Sequence, residues 1–337
     1  MLDISLADNA VQISAALLFV LGAVVGLLGG FFGVGGGWIV TPALNVLGMP
    51  IPYAVGTGLA YIFGMSSVSA WRHRRWGKIE PGLALVIGGA MVVGVKLGEK
   101  AVMLLDERGE ADSVVRILYI VFLVGLGLYM LVDGLRDRIR GGEHAKDSAP
   151  RRDALFQRCL VPPVLHLPRS GIRLSVWPLL GVGVGTGFLS GMLGAGGGFV
   201  LMPVMVYLVG MQTVAAVGTS LVCLVLASPF GVLAYGLEGR VEFVAALIMI
   251  AGALVGAPLG VRASHIVKGA ALRLLYSVMI IVGGASVLLK QLGSRTGGAA
   301  FDVAARVVIL SAAGGMALLI LVLMLAAIIR QERAPAE

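Results

Sequence analysis

Charge-free apolar stretches recur along nearly the whole chain, and most are too long to be strands, so they predict helices. They cover residues 11–28, 53–70, 83–95, 117–132, 176–193, 214–237, 243–261, 274–289 and 307–329. Most approach the roughly 20 residues needed to cross a hydrocarbon core of about 30 Å. The pattern predicts an all-α integral membrane protein. Composition supports that reading: of 337 residues, 58% are hydrophobic and only 13% charged, and the mean hydropathy is +0.97, far from the balance of a soluble domain. The first stretch is preceded by Asp3 and Asp8 and by no Lys or Arg. It therefore reads as a permanent span rather than a signal peptide, which needs a basic start.

The second half of the chain repeats the first. At an offset of 161, Gly26, Gly30 and Gly33 fall on Gly187, Gly191 and Gly194, Gly35-Gly36-Gly37 on Gly196-Gly197-Gly198, and Pro42 on Pro203. One residue more before Gly210 makes the offset 162. Then "AVGTGL" from Ala54 meets "AVGTSL" from Ala216, and "GKIE" from Gly77 meets "GRVE" from Gly239. These matches concentrate on Gly, Pro, Thr and Glu, which chance hydrophobic similarity would not select.

Charge then predicts orientation through the excess of Lys and Arg on cytoplasmic loops. "RHRRWGK" (72–78) carries four such residues, the 99–112 loop five acids against two bases, and the 133–175 linker nine Lys/Arg. Gly77 is expected inside and its mate Gly239 outside, with the N-terminus outside and the C-terminus in the cytoplasm of a plasma (inner) membrane protein. Matching residues on opposite faces predict two inverted-topology repeats, over 11–133 and 176–290, joined by a basic cytoplasmic linker at 134–175 and followed by an extra helix at 304–329. That is the plan of secondary transporters. The net charge of +8 follows the loops and gives no reason to expect nucleic acid. Within the linker, "CLVPPVLHLP" is too short and proline-broken to span and is expected at the interface.

The glycine runs carry the candidate chemistry. From Gly36 to Gly48 there is room for about a dozen helical residues, roughly 18 Å or half a bilayer. Each half therefore predicts a helix entering the membrane, a glycine turn at depth and a short helix leaving it. Irregular backbone at that depth must be buried in protein or line a wet cavity. The short helices would start at Gly36–Trp38 and Gly198–Phe199, offering free N–H groups and about half a unit of positive charge. Two such ends meeting at the bilayer midplane would make an anion site from Gly35, Gly36, Gly37, Trp38, Gly196, Gly197, Gly198 and Phe199. Tight packing is the alternative use of glycine, and Gly22, Gly26 and Gly30 at four-residue spacing suit it.

Hydroxyls at matching places add Thr57, Thr219 and Ser220 as donors to an oxyanion, unless each bonds back to its own helix. One turn on, Tyr61 and Cys223 are candidate cavity lining, or simply packing. Ser66, Ser228, Asn45 and Gln212 are further polar positions, and Lys96 is expected to snorkel to the outer surface. Two cysteines, Cys159 and Cys223, make neither a disulfide framework nor a metal cluster. The four histidines lie in or beside loops, away from any serine nucleophile motif. No catalytic residue, metal or cofactor is expected.

The paired "GVGGGWIVTP" and "GAGGGFVLMP", followed by "AVGTGL" or "AVGTSL" and "GKIE" or "GRVE", resemble the TauE/SafE sulfite exporter family, also described as the TSUP permeases. The likeness runs from about Gly22 to Leu289. It implies transport, often export, of small sulfur-containing anions such as sulfite, sulfoacetate or other organosulfonates. The family's glycine motifs carry over onto Gly33, Gly35–Gly37, Gly194 and Gly196–Gly198, and its Gly-Thr pair onto Gly56-Thr57 and Gly218-Thr219, with Gly58 where Gly-Thr-Ser is commoner. Expected partners are such an anion and the lipid bilayer, and a homodimer is compatible with the glycine-rich surfaces. A permease for another small anion, or a membrane scaffold without transport, are the other readings.

Overall fold

The computed structural model describes residues 3–6, 11–75, 77, 79–139, 156, 161–168, 170–267, 269–296 and 298–333. Lys78, Lys268, Cys159 and the rest of the 140–160 linker segment except Phe156 lie outside the described residues. Each half opens with a two-stranded antiparallel hairpin, β1 (Asp3–Leu6) with β2 (Val11–Ser14) and β3 (Val164–Leu167) with β4 (Ile172–Ser175). Both hairpins obey the offset of 161, so part of the stretch expected to lie at the interface is a strand of the repeat. Four-residue strands are too short to announce themselves by alternation.

The helices follow the same bookkeeping. In the first half they are α1 (Ala15–Phe32), α2 (Gly37–Val46), α3 (Ile51–Arg74), α4 (Pro81–Glu107) and α5 (Ala111–Ile139). In the second they are α6 (Val176–Leu193), α7 (Gly198–Pro203, continued by a π-helical turn over Val204–Val209), α8 (Thr213–Leu237), α9 (Phe243–Ile266) and α10 (Gly269–Thr296). α11 (Ala299–Arg333) has no counterpart. Among the described residues nine helices, all but α2 and α7, are long and apolar enough to cross a membrane. The protein is an all-α integral membrane protein. α4 continues to Glu107, so Glu99 is helical rather than in a loop; it is buried and pairs with the half-exposed Lys96 at 3.1 Å.

Glycine seams set how the halves join. A methyl group on Gly22, Gly26 or Gly30 would strike the backbone of Met249, Ala253 or Ala257, and one on Gly252, Gly256 or Gly260 that of Phe19, Ala23 or Leu27. α1 and α9 thus run parallel at backbone contact, as small-xxx-small packing allows. The exchanged pair, α4 with α6, does the same through Gly94, Gly98, Gly183, Gly187 and Gly191. The four-residue glycine spacing is therefore used for packing.

Mates, in contrast, run antiparallel. The start of α3 meets the end of α8, where Gly56 abuts Arg240, and the start of α8 meets the end of α3, where Gly218 abuts His73. α5 and α10 pair likewise: Arg116 reaches Gln291 while Gly127 packs on Ile281 and Gly134 on Leu274. The directions have a consequence for α2. Because α1 is parallel to α9, and α9 to α3, α1 and α3 both start from one end of the bundle, here called the upper end. α2 must return the chain to that end, and its Asn45 does lie beside Arg116 near the start of α5. α1–α2 and, from the lower end, α6–α7 are therefore hairpins that enter and turn back. Three helices per half run the full height of the bundle.

Candidate functional site

Both hairpins turn by the same backbone device. Gly33 and Gly194 close α1 and α6 in the left-handed region, each N–H returning to the carbonyl four residues back (Gly29 and Ser190). Gly35 and Gly36 (φ 75° and 74°) and Gly196 and Gly197 (φ 71° and 68°) are left-handed as well. An L side chain in that region costs about 1–2 kcal/mol. This is why the sequence places glycine at all six positions.

The turns meet halfway up α3 and α8. Gly35 and Gly196 both face Ile62 of α3 and Leu224 of α8. A methyl group at Gly37 would lie 2.8 Å from the Gly194 carbonyl oxygen, and one at Gly198 would lie 2.6 Å from that of Val34. Each short helix thus starts against the turn of the other half. Among the described residues, the N–H groups of Gly35, Gly36, Gly37 and Trp38 take no carbonyl partner, and neither do those of Gly196, Gly197, Gly198 and Phe199. Four adjacent unpaired donors on each side, at two helix starts, concentrate positive potential there.

Two buried side chains around the first turn and its short helix keep polar atoms without partners. The Ser66 Oγ, on α3, lies 3.2 Å from where a Gly35 methyl would sit; it is fully buried and has no hydrogen-bond partner. The Trp38 Nε1, beside the start of α2, is also buried and unpartnered, its ring held edge-on by Tyr276 at 6.1 Å. The mates differ. Ser228 donates to the Leu224 carbonyl at 2.6 Å, and Phe199 has no polar atom in its side chain. Sequence alone ranks Ser66 and Ser228 equally, since nothing in it distinguishes a hydroxyl bonded to its own helix from one left open.

The remaining candidates each have a polar contact within the protein. Thr57 Oγ1 accepts the Glu242 N–H at 3.0 Å, and Thr219 Oγ1 accepts that of Glu80 at 3.2 Å. Each threonine therefore holds the start of the fourth helix of the opposite half, while its neighbours pack on a turn: Val55 and Gly58 meet Gly194, and Val217 meets Gly33. Ser220 donates to the Gly33 carbonyl at 2.6 Å and to that of Val217 at 2.9 Å, supporting the first turn. Tyr61 donates to the Gly22 carbonyl at 2.9 Å. The buried Cys223 Sγ lies 3.7 Å from the Ala84 carbonyl. These side chains tie helices together around the turns.

Tyrosines complete the frame. Tyr119 of α5 donates to the Leu193 carbonyl, Tyr276 of α10 to that of Phe199 at 3.0 Å, and Thr41 of α2 to that of Gly194 at 3.0 Å. Carbonyls around the turns are thus held by side-chain donors while the N–H groups are left open. That division suits a ligand that only accepts hydrogen bonds.

Residues 18–287 match the profile of the family described as sulfite exporter TauE/SafE. The chain belongs to this family. Its two glycine turns and both copies of the threonine latch fall within the matched TauE/SafE region. A probable membrane transporter protein of Methanocaldococcus jannaschii is 28% identical over 289 residues, covering 81% of this chain and 95% of its own. The probable membrane transporter protein YunE of Bacillus subtilis is 24% identical over 292 residues, covering 83% and 100%. No solved structure matches the chain. With these relatives and its apolar helices, the protein is a multi-pass membrane transporter of the TauE/SafE type.

Proposed function

We propose that this TauE/SafE transporter moves a small sulfur-containing anion, such as sulfite, sulfoacetate or a related sulfonate, outward across the plasma membrane by alternating access. The observation that carries the reading is the meeting of two glycine turns at half height, with unpaired N–H groups and the open Ser66 hydroxyl. Such donors bind an oxyanion without a buried cation to neutralise first. The anion would lie between the turns and contact the backbone of Gly35–Trp38 and Gly196–Phe199. In this conformation the turns touch, so loading requires them to separate.

The antiparallel mates and the returning hairpins support two inverted repeats, each starting with its β-hairpin and each crossing three times. An odd number of crossings inverts the second repeat, and rocking one against the other exposes a fixed midplane site alternately. With the basic loops inside, both the N-terminus and the α1–α2 hairpin face outward, α6–α7 opens inward, and α11 brings the C-terminus into the cytoplasm.

Counterflow in proteoliposomes tests this reading. Vesicles preloaded with unlabelled sulfite should accumulate [35S]sulfite transiently, with saturation, and sulfoacetate inside should substitute for sulfite while acetate does not. Flux that never saturates would make the protein a channel. Absence of flux with every sulfur anion, in folded protein, would leave the scaffold reading.

A further inference from the structure

Two buried arginines obey the repeat once its offset is allowed to shorten. From α4 to α5 and from α9 to α10 the connection differs in length, so the fifth helices align at an offset of 157, five less than before. Arg116 then falls on Arg273, Tyr119 on Tyr276 and Gly127 on Gly284. Arg116 is 7% exposed and Arg273 is 6% exposed, one near the upper end of the bundle and the other near the lower. Each stands three residues before the tyrosine whose hydroxyl holds a carbonyl at the glycine turns.

Arg116 clamps the upper end. Its Nη2 donates to Asp112 Oδ2 at 2.6 Å, its Nε to Asn45 Oδ1 at 3.2 Å and its Nη1 to Gln291 Oε1 at 3.3 Å. The other Asp112 oxygen accepts the Ile51 N–H at 3.1 Å. The guanidinium therefore joins the end of α2 to α5 and α10, and Asp112 adds the start of α3. Beside it is a cavity of about 10 Å³, enough for one water, lined by Arg116, Asn45, Tyr119 and Lys290. Lys290 is itself paired with Asp302 at 3.1 Å. Five N–H donors and three partners leave two of the Arg116 donors uncommitted.

We propose that Arg116 and Arg273 are the gateway residues of the transport path, each receiving the oxyanion at one mouth and passing it, beyond its tyrosine, to the glycine turns. The proposal rests on the anion-transport reading above. At the upper mouth, the two bonds to neutral amides are long, and a charged oxyanion forms shorter, bidentate ones with a guanidinium. An anion on the Nε–Nη2 fork would displace Asn45, leave the other Nη2 hydrogen to Asp112 and untie α2 from α5. Ligand arrival and opening of the mouth are then one event, and a lysine, lacking the planar fork, would perform both poorly.

The test is [35S]sulfite uptake by right-side-out and inside-out membrane vesicles carrying the full chain. Arg116→Gln should raise the half-saturating concentration at one face by about tenfold or more and leave the other within about twofold. Arg273→Gln should do the reverse. Arg116→Lys and Arg273→Lys, which keep the charge and guard against misfolding, should shift the same faces in the same sense by less. Equal shifts at both faces, or none, would overturn the gateway role and leave transport standing. Wild-type vesicles without saturable uptake of any small anion would instead overturn the transport reading and this proposal with it.

Discussion

Ser66→Ala is expected to weaken sulfite binding by about 10- to 100-fold while the ligand-free protein melts at the same temperature or slightly higher. A hydrogen bond to a charged group contributes roughly 1.5–3 kcal/mol, and 1.4 kcal/mol is a factor of ten in affinity. The expected stability follows from the same hydroxyl. Fully buried and unpartnered, it bears a desolvation cost that alanine removes, whereas no internal hydrogen bond is lost. Trp38→Phe should act in the same direction, since the indole N–H is likewise unpartnered. The repeat supplies an internal control. Ser228→Ala removes a hydroxyl already bonded to Leu224 and should leave anion affinity unchanged. Titration of the three purified variants with sulfite, read alongside their melting curves, separates loss of a ligand contact from loss of fold. Equal affinities in all three would remove Ser66 and Trp38 from the site.

The second large effect is structural. Gly256→Leu should destabilise the protein by about 3 kcal/mol or more, the upper end of overpacking penalties, because its Cβ would lie 1.9 Å from the Ala23 carbonyl oxygen and 2.9 Å from the Leu27 nitrogen. Both are backbone atoms of α1 and have no rotamer to move to. α1 would have to leave α9, and the first glycine turn would move with it. Gly314→Leu, on α11, meets nothing within 4 Å and should stay within about 0.5 kcal/mol of wild type. Melting temperature and elution as a single species in detergent distinguish the two. A Gly256→Leu protein as stable as Gly314→Leu would contradict the parallel α1/α9 seam.

Much of this arrangement was legible in the sequence, because a duplicated motif marks the same backbone need twice. The two glycine turns, the spaced glycines of the α1 seam and the starts of the short helices could all be read from Gly35–Gly37, Gly196–Gly198 and their neighbours. Direction was less accessible. Hydropathy gives α1 a length sufficient to cross, and the parallel packing of α1 on α9 shows α2 turning back. The threonines illustrate a different limit. Thr57 and Thr219 stand at matching positions and each holds the next helix of the other half, and a matching position does not distinguish a latch from a ligand. Arg116 and Arg273 are concealed by five residues missing from one connection, which moves them out of register with the motifs before them.

The central claim is that unpaired backbone donors at the two turns bind a sulfur oxyanion. The most direct test is the melting temperature of the purified wild-type protein against sulfite, sulfoacetate, isethionate, taurine, thiosulfate, sulfate, acetate and chloride at constant ionic strength. A ligand at one hundred times its Kd adds about 2.7 kcal/mol to the folded state. A saturable rise with sulfite or a sulfonate, lost in Ser66→Ala and absent with acetate and chloride, is the predicted result. A flat panel in well-folded protein, or an equal rise with every anion, would contradict it.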